Sequence, residues 1–439
     1  MIVVPGASLK GTVRLPGDKS ISHRSALFAA LAEGESRFEN FLLAGVTKAM
    51  LDALGALGVA WSLDETTLVV QGQGLDGFLA PDAPIHCGNS GTTLRLLTGA
   101  LAAARLPVRL TGSAGLRRRP MDRIVNPLQS MGVQIQGAEG NVAPLTLLKG
   151  PSYSGISYVL PVASAQVKSC LLLAGLGANT STHLTEPGPS RDHTERMLAS
   201  MGVDIKTRSF EDPQTGQPSY TTDLVPPNKP LQPINMAIPG DISSAAFLIV
   251  AALITPGSEI EILGVGLNPT RTGLLDALQQ MRASIVIRNR DESQGEPFGD
   301  LLIRASELHG SEIGGELVVR MIDEFPAFAI AAAYANGPTI VRDAEELRYK
   351  ESDRITALAE ELQAVGVAVQ EQPDGFVFSG QTPPTGGSSH SRGDHRLAMS
   401  LAIAGLAARD SVTILDPAII HESFPSFQAT LEYLGARID

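Results

Sequence analysis

Between Ala26 and Ala32 the chain is apolar at every position, and the run ends shortly before Gly34. A helix with no polar face is one buried on all sides. It is preceded by Leu15-Pro-Gly-Asp18, a turn followed by a residue suited to cap a helix. The pattern recurs five times. The later copies begin at His86-Cys-Gly-Asn89, Pro161-Val-Ala-Ser164, Ile238-Pro-Gly-Asp241, Met321-Ile-Asp323-Glu324 and Ser391-Arg-Gly-Asp394. Each places Asp, Asn or Ser at the expected N-cap. Each then runs into an Ala/Leu-rich stretch: Leu94 to Ala102, Leu171 to Leu176, Ala245 to Leu253, Ala327 to Tyr334 and Leu397 to Ala407. The caps recur about every 75 residues, a longer period than that of the usual solenoid repeats.

A second series runs in step with the first. After each buried helix the spacing predicts an amphipathic one, over Thr47–Val59, Met121–Val133, His193–Val203, Thr272–Ala283, Ser352–Val367 and Phe427–Ala436. Gly58, Gly132, Gly202, Gly366 and Gly435 stand where a left-handed residue would end these helices, and the fourth copy has Arg282 there instead. Short β-rich runs such as Val133-Gln-Ile135 and Ser284-Ile-Val-Ile287 follow. The chain is therefore an α/β protein of six repeated units, each with two helices and several strands. The polar, proline-containing stretch from Thr207 to Pro233 suggests the crossing between three units and three more. Two similar lobes are expected, with apolar helices inside, sheets and amphipathic helices outside, and the helix starts facing a shared cleft.

Composition narrows the function without naming it. The 439 residues suffice for two or three domains with cores of their own. A net charge of -12 argues against nucleic acid as the main partner. The two cysteines, Cys87 and Cys170, imply no disulfide framework and suit a reducing compartment. Met1-Ile-Val-Val4 is too short for a signal peptide and no run approaches a membrane span, so a cytoplasmic protein without membrane partners is expected.

The positions of the cations change this picture. The helix-start segments carry Lys19, Arg24, Arg95, Lys168, His395 and Arg396. Nearby loops add Arg117-Arg118-Arg119, Arg191-Asp-His193 and Lys350-Glu-Ser-Asp-Arg354. Helix N-termini present free N–H groups and the positive end of a dipole, so cations gathered there suit a small polyanion. The plain alternative is that each cation satisfies a carbonyl or carboxylate within the fold. That alternative is strong for any one residue and weak for the recurring set.

The motifs Leu15-Pro-Gly-Asp-Lys-Ser-Ile-Ser-His-Arg24, Gly88-Asn-Ser-Gly-Thr92, Arg119-Pro-Met121, Ser164-Ala-Gln166, Lys350-Glu-Ser-Asp-Arg354 and Asp394-His-Arg396 resemble the 5-enolpyruvylshikimate-3-phosphate synthase family. Ser164-Ala-Gln-Val-Lys168, Arg191-Asp-His-Thr-Glu195 and Asn268-Pro-Thr-Arg271 are similar to its class II subgroup. The resemblance spans essentially the whole chain. It implies two lobes of three βαβαββ units each, an inverse α/β barrel, with boundaries at 15–233 and at 1–14 plus 234–439. It also implies transfer of the enolpyruvyl group of phosphoenolpyruvate to the 5-hydroxyl of shikimate 3-phosphate, with no cofactor or metal, by a monomer.

Residue by residue, the resemblance makes Glu351 the candidate acid, Asp323 the candidate base and Lys19 a second proton-transfer group. It assigns Lys19, Ser20 and Arg24 to the substrate, with Lys19 also reaching phosphoenolpyruvate, and Ser164, Gln166 and Arg191 to the phosphate and ring of shikimate 3-phosphate; Ala165, Asp323 and Lys350 are further substrate-binding residues. Asn89, Gly91, Arg119, Arg354 and Arg396 would line the phosphoenolpyruvate site, with His395 beside it. Without the resemblance, Asp323 is equally a plain N-cap and Glu351 a solvated side chain early in an amphipathic helix. Three positions bear on the comparison. Ala165 stands where some relatives have a second serine, and Glu422 where some have a lysine. Gly91 keeps the small residue that certain glyphosate-tolerant members replace with alanine.

The nearest rival is the sister family that transfers enolpyruvyl to UDP-N-acetylglucosamine. It carries a cysteine in a loop matching Gly112-Ser-Ala-Gly-Leu-Arg-Arg-Arg-Pro120, which has none. Cys87 and Cys170 are expected to be small packed residues. A non-catalytic repeat scaffold would leave the distinct polar residues at the six helix starts unexplained. The eight histidines show no zinc-site spacing, and Gly72-Gln-Gly74 lacks the context of a dinucleotide fingerprint.

Overall fold

The run that opens the pattern forms the helix Lys19–Leu31, in which every residue but Lys19 is buried. Its counterparts are Gly91–Ala103, Ala165–Gly175, Ile242–Ile254, Phe325–Ala333 and His395–Leu406. Ile242–Ile254, Phe325–Ala333 and His395–Leu406 are buried along their whole length. In such helices each large apolar side chain contributes roughly 1.5–3 kcal/mol by leaving water. The computed structural model describes residues 1–213, 216, 218–293 and 295–439.

The chain divides into two units, Gly17–Ile238 and Met1–Pro16 with Pro239–Asp439. Among the described residues each unit holds three of the buried helices and three four-stranded sheets. The six sheets share one strand arrangement, a parallel pair followed by two antiparallel strands. In the second, for example, Ile85–His86 and Val108–Thr111 flank a buried helix and pair in parallel. The hairpin of Ile135–Ala138 and Val142–Leu147 then adds antiparallel strands beyond them.

At the crossings, strands come from distant parts of the chain. Lys10–Arg14 lies next to the first buried helix in sequence but pairs in parallel with Glu259–Gly266. Asn235–Ala237 completes the first sheet by pairing in parallel with Glu33–Glu39, so the unit begun at Gly17 runs on to Ile238. Ile2–Val4 sits between Val412–Leu415 and Arg437–Ile438 in the sixth sheet. The stretch expected to be a crossing from Thr207 begins instead as sheet. Ile205–Glu211 and Pro218–Leu224 pair antiparallel, and the connection starts only after Leu224. Polar composition hid these strands because Ile205–Glu211 is an exposed edge with no alternating buried face.

The caps correct the expectation in two places. Asp18, Asp241 and Asp394 accept from backbone N–H groups of their helices, at 2.9, 2.8 and 2.9 Å. In the second unit Ser90, not Asn89, is the cap and accepts from Thr93 N at 3.0 Å. In the fifth, Glu324 occupies the N-cap position, so Asp323 lies outside the helix and is not its cap. Ser164 holds the N-cap position without a side-chain cap bond.

The amphipathic helices are Gly45–Ala56, Asp122–Met131, His193–Ser200, Gly273–Gln280, Arg354–Ala364 and Phe427–Tyr433. Gly58, Gly132, Gly202, Gly366 and Gly435 all follow with φ between 82° and 109°. Arg282 adopts the same left-handed turn, at φ 65°. Two buried helices of Gly17–Ile238 pack tightly where Gly99 meets Cys170: a Cβ at Gly99 would lie 2.2 Å from the Cys170 carbonyl oxygen. Both cysteines are free and buried. Among the described residues no helix is long and apolar enough to cross a membrane.

Candidate active site

In the unit Gly17–Ile238, the start of the Lys19–Leu31 helix gathers several predicted residues. Arg191 Nη1 donates to Ser20 Oγ at 3.1 Å. Arg24 lies beneath, 2 % exposed. Its Nε donates to Thr194 Oγ1 and its Nη2 to Ser169 Oγ, both at 2.8 Å, and its Nη1 to the Ser20 carbonyl at 3.0 Å. Thr194 and Ser169 are themselves hydrogen-bonded at 2.6 Å. The guanidinium thus ties three elements together under Ser20. Neither hydroxyl was singled out from sequence, since only the fold shows that Arg24 faces them.

His23 joins the first two buried helices of this unit. Its Nδ1 is 2.7 Å from the Lys19 carbonyl, and its Nε2 is 3.2 Å from both Ser90 Oγ and the Val46 carbonyl. Burial, with the charges of Lys19 and Arg24 added, lowers its pKa to about 4 despite the carbonyl contacts. The ring is therefore neutral near pH 7. The network assigns its proton to Nδ1, toward Lys19, leaving Nε2 to accept from Ser90.

Two helix starts meet at Gln166. Arg95 Nη1 donates to Gln166 Oε1 at 2.5 Å, and Gln166 Nε2 donates to Thr92 Oγ1 at 3.0 Å. Gly91 packs against the same group, since a Cβ there would lie 3.0 Å from Arg95 Nη1 and 3.3 Å from Arg119 Nη1. Asn89 accepts from Ser113 Oγ at 2.9 Å, which ties it to the loop carrying Arg119. Arg119 is half-buried, whereas Arg117 and Arg118 are exposed.

Lys168 corrects the sorting of cations. It is 2 % exposed, and its Nζ lies 2.6 Å from Glu186 Oε1 and 2.8 Å from Glu195 Oε1. It also donates to the Ser190 carbonyl at 3.3 Å. Burial works against its charge, but the two carboxylates overcome this and hold its pKa above the ordinary lysine value. Burial in turn pushes the Glu195 carboxyl up, against the pull of Lys168. Lys168 is thus a buried tie beneath Arg191's loop and not a cation offered to a ligand.

In the other unit Arg354 is the hub. The guanidinium is 1 % exposed and reaches three carboxylates. Nε lies 2.7 Å from Asp394 Oδ2, Nη2 2.6 Å from Glu351 Oε2 and Nη1 3.3 Å from Asp323 Oδ1. Arg396 closes the set from the next helix start. Its Nη1 donates to the Asp323 carbonyl at 3.0 Å, and its Nη2 is 3.6 Å from Asp323 Oδ2. Burial opposes charge on Asp394, yet Arg354 holds its carboxyl below the usual range. Burial also pulls the Lys350 ammonium down, aided by Arg354 and opposed by Asp323, Glu346 and Glu351. His395 is buried beside Arg396. Glu422 ends the short turn Pro417–Glu422 and is half-buried.

The predicted residues thus fall into two sets. Ser20, Arg24 and Arg191 form one, with Asn89, Gly91, Arg119 and Gln166 close to their own partners in the same unit. Asp323, Lys350, Glu351, Arg354, His395 and Arg396 form the other. Arg271 was seen only as a motif residue. Its Nη2 donates to Ser243 Oγ at 2.8 Å and lies 3.4 Å from Asp241, while Ser243 Oγ donates to Glu324 next to Asp323.

Known proteins are similar to this chain over nearly its whole length. The family profile of EPSP synthase (3-phosphoshikimate 1-carboxyvinyltransferase) matches residues 3–431. The 3-phosphoshikimate 1-carboxyvinyltransferase of Geotalea daltonii is 48% identical over 429 residues, covering 98% of this chain and 97% of the relative. That of Geobacter sulfurreducens is 48% identical over 434 residues, covering 99% and 98%. The structure of EPSP synthase from Acinetobacter baumannii superposes with a TM-score of 0.86 at 41% identity, covering 99% of this chain and 98% of that one. The enolpyruvyl transferase NikO from Streptomyces tendae, at 20% identity and a TM-score of 0.78 over 100% and 98%, shares the fold. With a family match across nearly its full length and relatives at 48% identity, this chain belongs to the EPSP synthase family.

Proposed function

We propose that this chain transfers the enolpyruvyl group of phosphoenolpyruvate to the 5-hydroxyl of shikimate 3-phosphate, releasing inorganic phosphate, in aromatic amino acid biosynthesis. One observation carries the chemistry: Arg354 holds Asp323 and Glu351, two half-buried carboxylates, beside Arg396. A reaction that protonates one carbon and deprotonates one hydroxyl needs two such groups next to cations that bind anions.

In this proposal Glu351 delivers a proton to C3 of phosphoenolpyruvate while Asp323 takes the proton of the 5-hydroxyl. The hydroxyl oxygen bonds to C2. The C2–O bond to phosphate then breaks, C3 returns a proton to Glu351 as the double bond is restored, and the departing phosphate carries off the proton that Asp323 took. Lys19 acts near the departing phosphate. Arg119, Arg354 and Arg396 bind phosphoenolpyruvate, since guanidinium matches carboxylate and phosphate bidentately. Asn89 and Gly91 line that site, and His395 lies beside it. Lys19, Ser20, Ser164, the Ala165 backbone, Gln166, Arg191, Asp323 and Lys350 bind shikimate 3-phosphate, with Arg24 lending its charge from beneath Ser20. The buried free thiols of Cys87 and Cys170 support a cytoplasmic protein. The test is phosphate release from phosphoenolpyruvate. Release with shikimate 3-phosphate and none with UDP-N-acetylglucosamine is expected, and the reverse pattern or silence with both overturns the assignment.

A further inference from the structure

The helix Arg354–Ala364 grips the segment before Arg396 at two points, seven residues apart along the helix. The first is the bond from Arg354 to Asp394. The second is Glu361, which the reaction above does not use. Its side chain is 4 % exposed, and both its oxygens are taken by the segment. Oε2 accepts from Ser389 Oγ and from the His390 N–H, each at 2.7 Å, and Oε1 accepts from Arg392 Nε at 2.5 Å. Arg392 Nη1 reaches Glu360 Oε2 at 2.8 Å.

What Glu361 holds is a kink. Arg392 has φ 52° and Gly393 φ 72°. An L residue enters this left-handed region only at a steric cost, so something must hold it there. Behind the kink the strand Gly387–His390 ends; ahead of it Asp394 caps the helix His395–Leu406 and bonds to Arg354. The carboxylate of Glu361 is a charge-assisted acceptor for three donors on one turn, the strongest arrangement available to it.

We propose that Glu361 is a positioning residue for phosphoenolpyruvate. By fixing residues 389–392 it sets Asp394, and through Asp394 it aligns the guanidinium groups of Arg354 and Arg396. This role rests on the assignment of those two arginines to phosphoenolpyruvate.

Steady-state kinetics in both substrates, with thermal unfolding, test it on Glu361→Ala and Glu361→Gln. Glu361→Ala is expected to raise the KM for phosphoenolpyruvate about tenfold, as a small misplacement of binding groups does, with the KM for shikimate 3-phosphate nearly unchanged. Glu361→Gln keeps an acceptor for the His390 N–H and carries the test if the alanine variant does not fold; it is expected to fall between. Arg392→Gly in the Glu361→Ala background lets the kink form without a clamp and is expected to recover part of the lost affinity. An unchanged KM for phosphoenolpyruvate in folded Glu361 variants, or an equal rise in both KM values, overturns the role alone. Absence of turnover in the unmutated chain overturns the assigned reaction, and this role with it.

Discussion

Arg354 and Asp394 form an ion pair at 2.7 Å with both side chains buried. Desolvating two charges is costly, and attraction offsets it only when the geometry is good and the remaining donors are used. Here they are, because Asp394 also accepts from Arg396 N and Ser352 Oγ while Arg354 reaches Glu351 and Asp323. The pair therefore supports both the helix start and the candidate acid and base.

Removing one partner strands the other. Arg354→Met leaves three carboxylates without their shared cation and is expected to cost about 3–5 kcal/mol, read from urea unfolding. Arg354→Lys keeps a charge but not the fork, so it is expected to restore stability in part and affinity for phosphoenolpyruvate hardly at all. Full affinity in the lysine variant would show that fork geometry does not matter.

Glu351→Gln and Arg119→Ala are expected to differ in kind. The first removes a proton donor and lowers kcat by about 10²–10⁴-fold. The second removes a binding group and mainly raises the KM for phosphoenolpyruvate. Retention of full kcat by Glu351→Gln would assign the proton to another group.

His23 predicts an acid-side loss of stability. Its pKa in the fold is about 4, against 6.5 for the free side chain. Between these values the unfolded chain binds a proton that the folded chain does not, so stability falls as pH drops from 6.5 to 4 and this loss is complete below 4. The effect is on the order of 3 kcal/mol. Urea unfolding across this range should therefore be less steep in pH for His23→Asn than for the unmutated chain. Equal slopes would show that His23 takes up its second ring proton in the fold as it does in the unfolded chain.

Arg282 stands at the one left-handed helix end of the six that lacks glycine. Arg282→Gly relieves the backbone cost and is expected to stabilise by up to about 1 kcal/mol, with activity unchanged. A higher melting temperature at equal kcat checks it.

Much of this architecture could be read before the fold was known. Gly58 and its counterparts marked helix ends because a left-handed residue there is a local steric demand, visible without neighbours. Asp18, Asp241 and Asp394 were found as caps for the same reason, each bonding within three residues of itself. Asp323 was misplaced by one residue, since Glu324 beside it is an equally acidic candidate. Lys168 was grouped with ligand cations because Glu186 and Glu195 are separated from it in sequence and become its partners only when strand and helix close over it.

The six-fold repeat, the aspartate caps Asp18, Asp241 and Asp394, and the two helix series were determined by sequence alone, because helix hydrogen bonds and apolar periodicity act over a few residues. Which charges face one another was decided by tertiary structure. Lys10–Arg14 finds its sheet partner in Glu259–Gly266, Arg24 meets Thr194, and Arg354 meets Asp394, all across long stretches of chain. Such pairings depend on packing whole elements together, and a buried charge selects its partner only once water has been excluded.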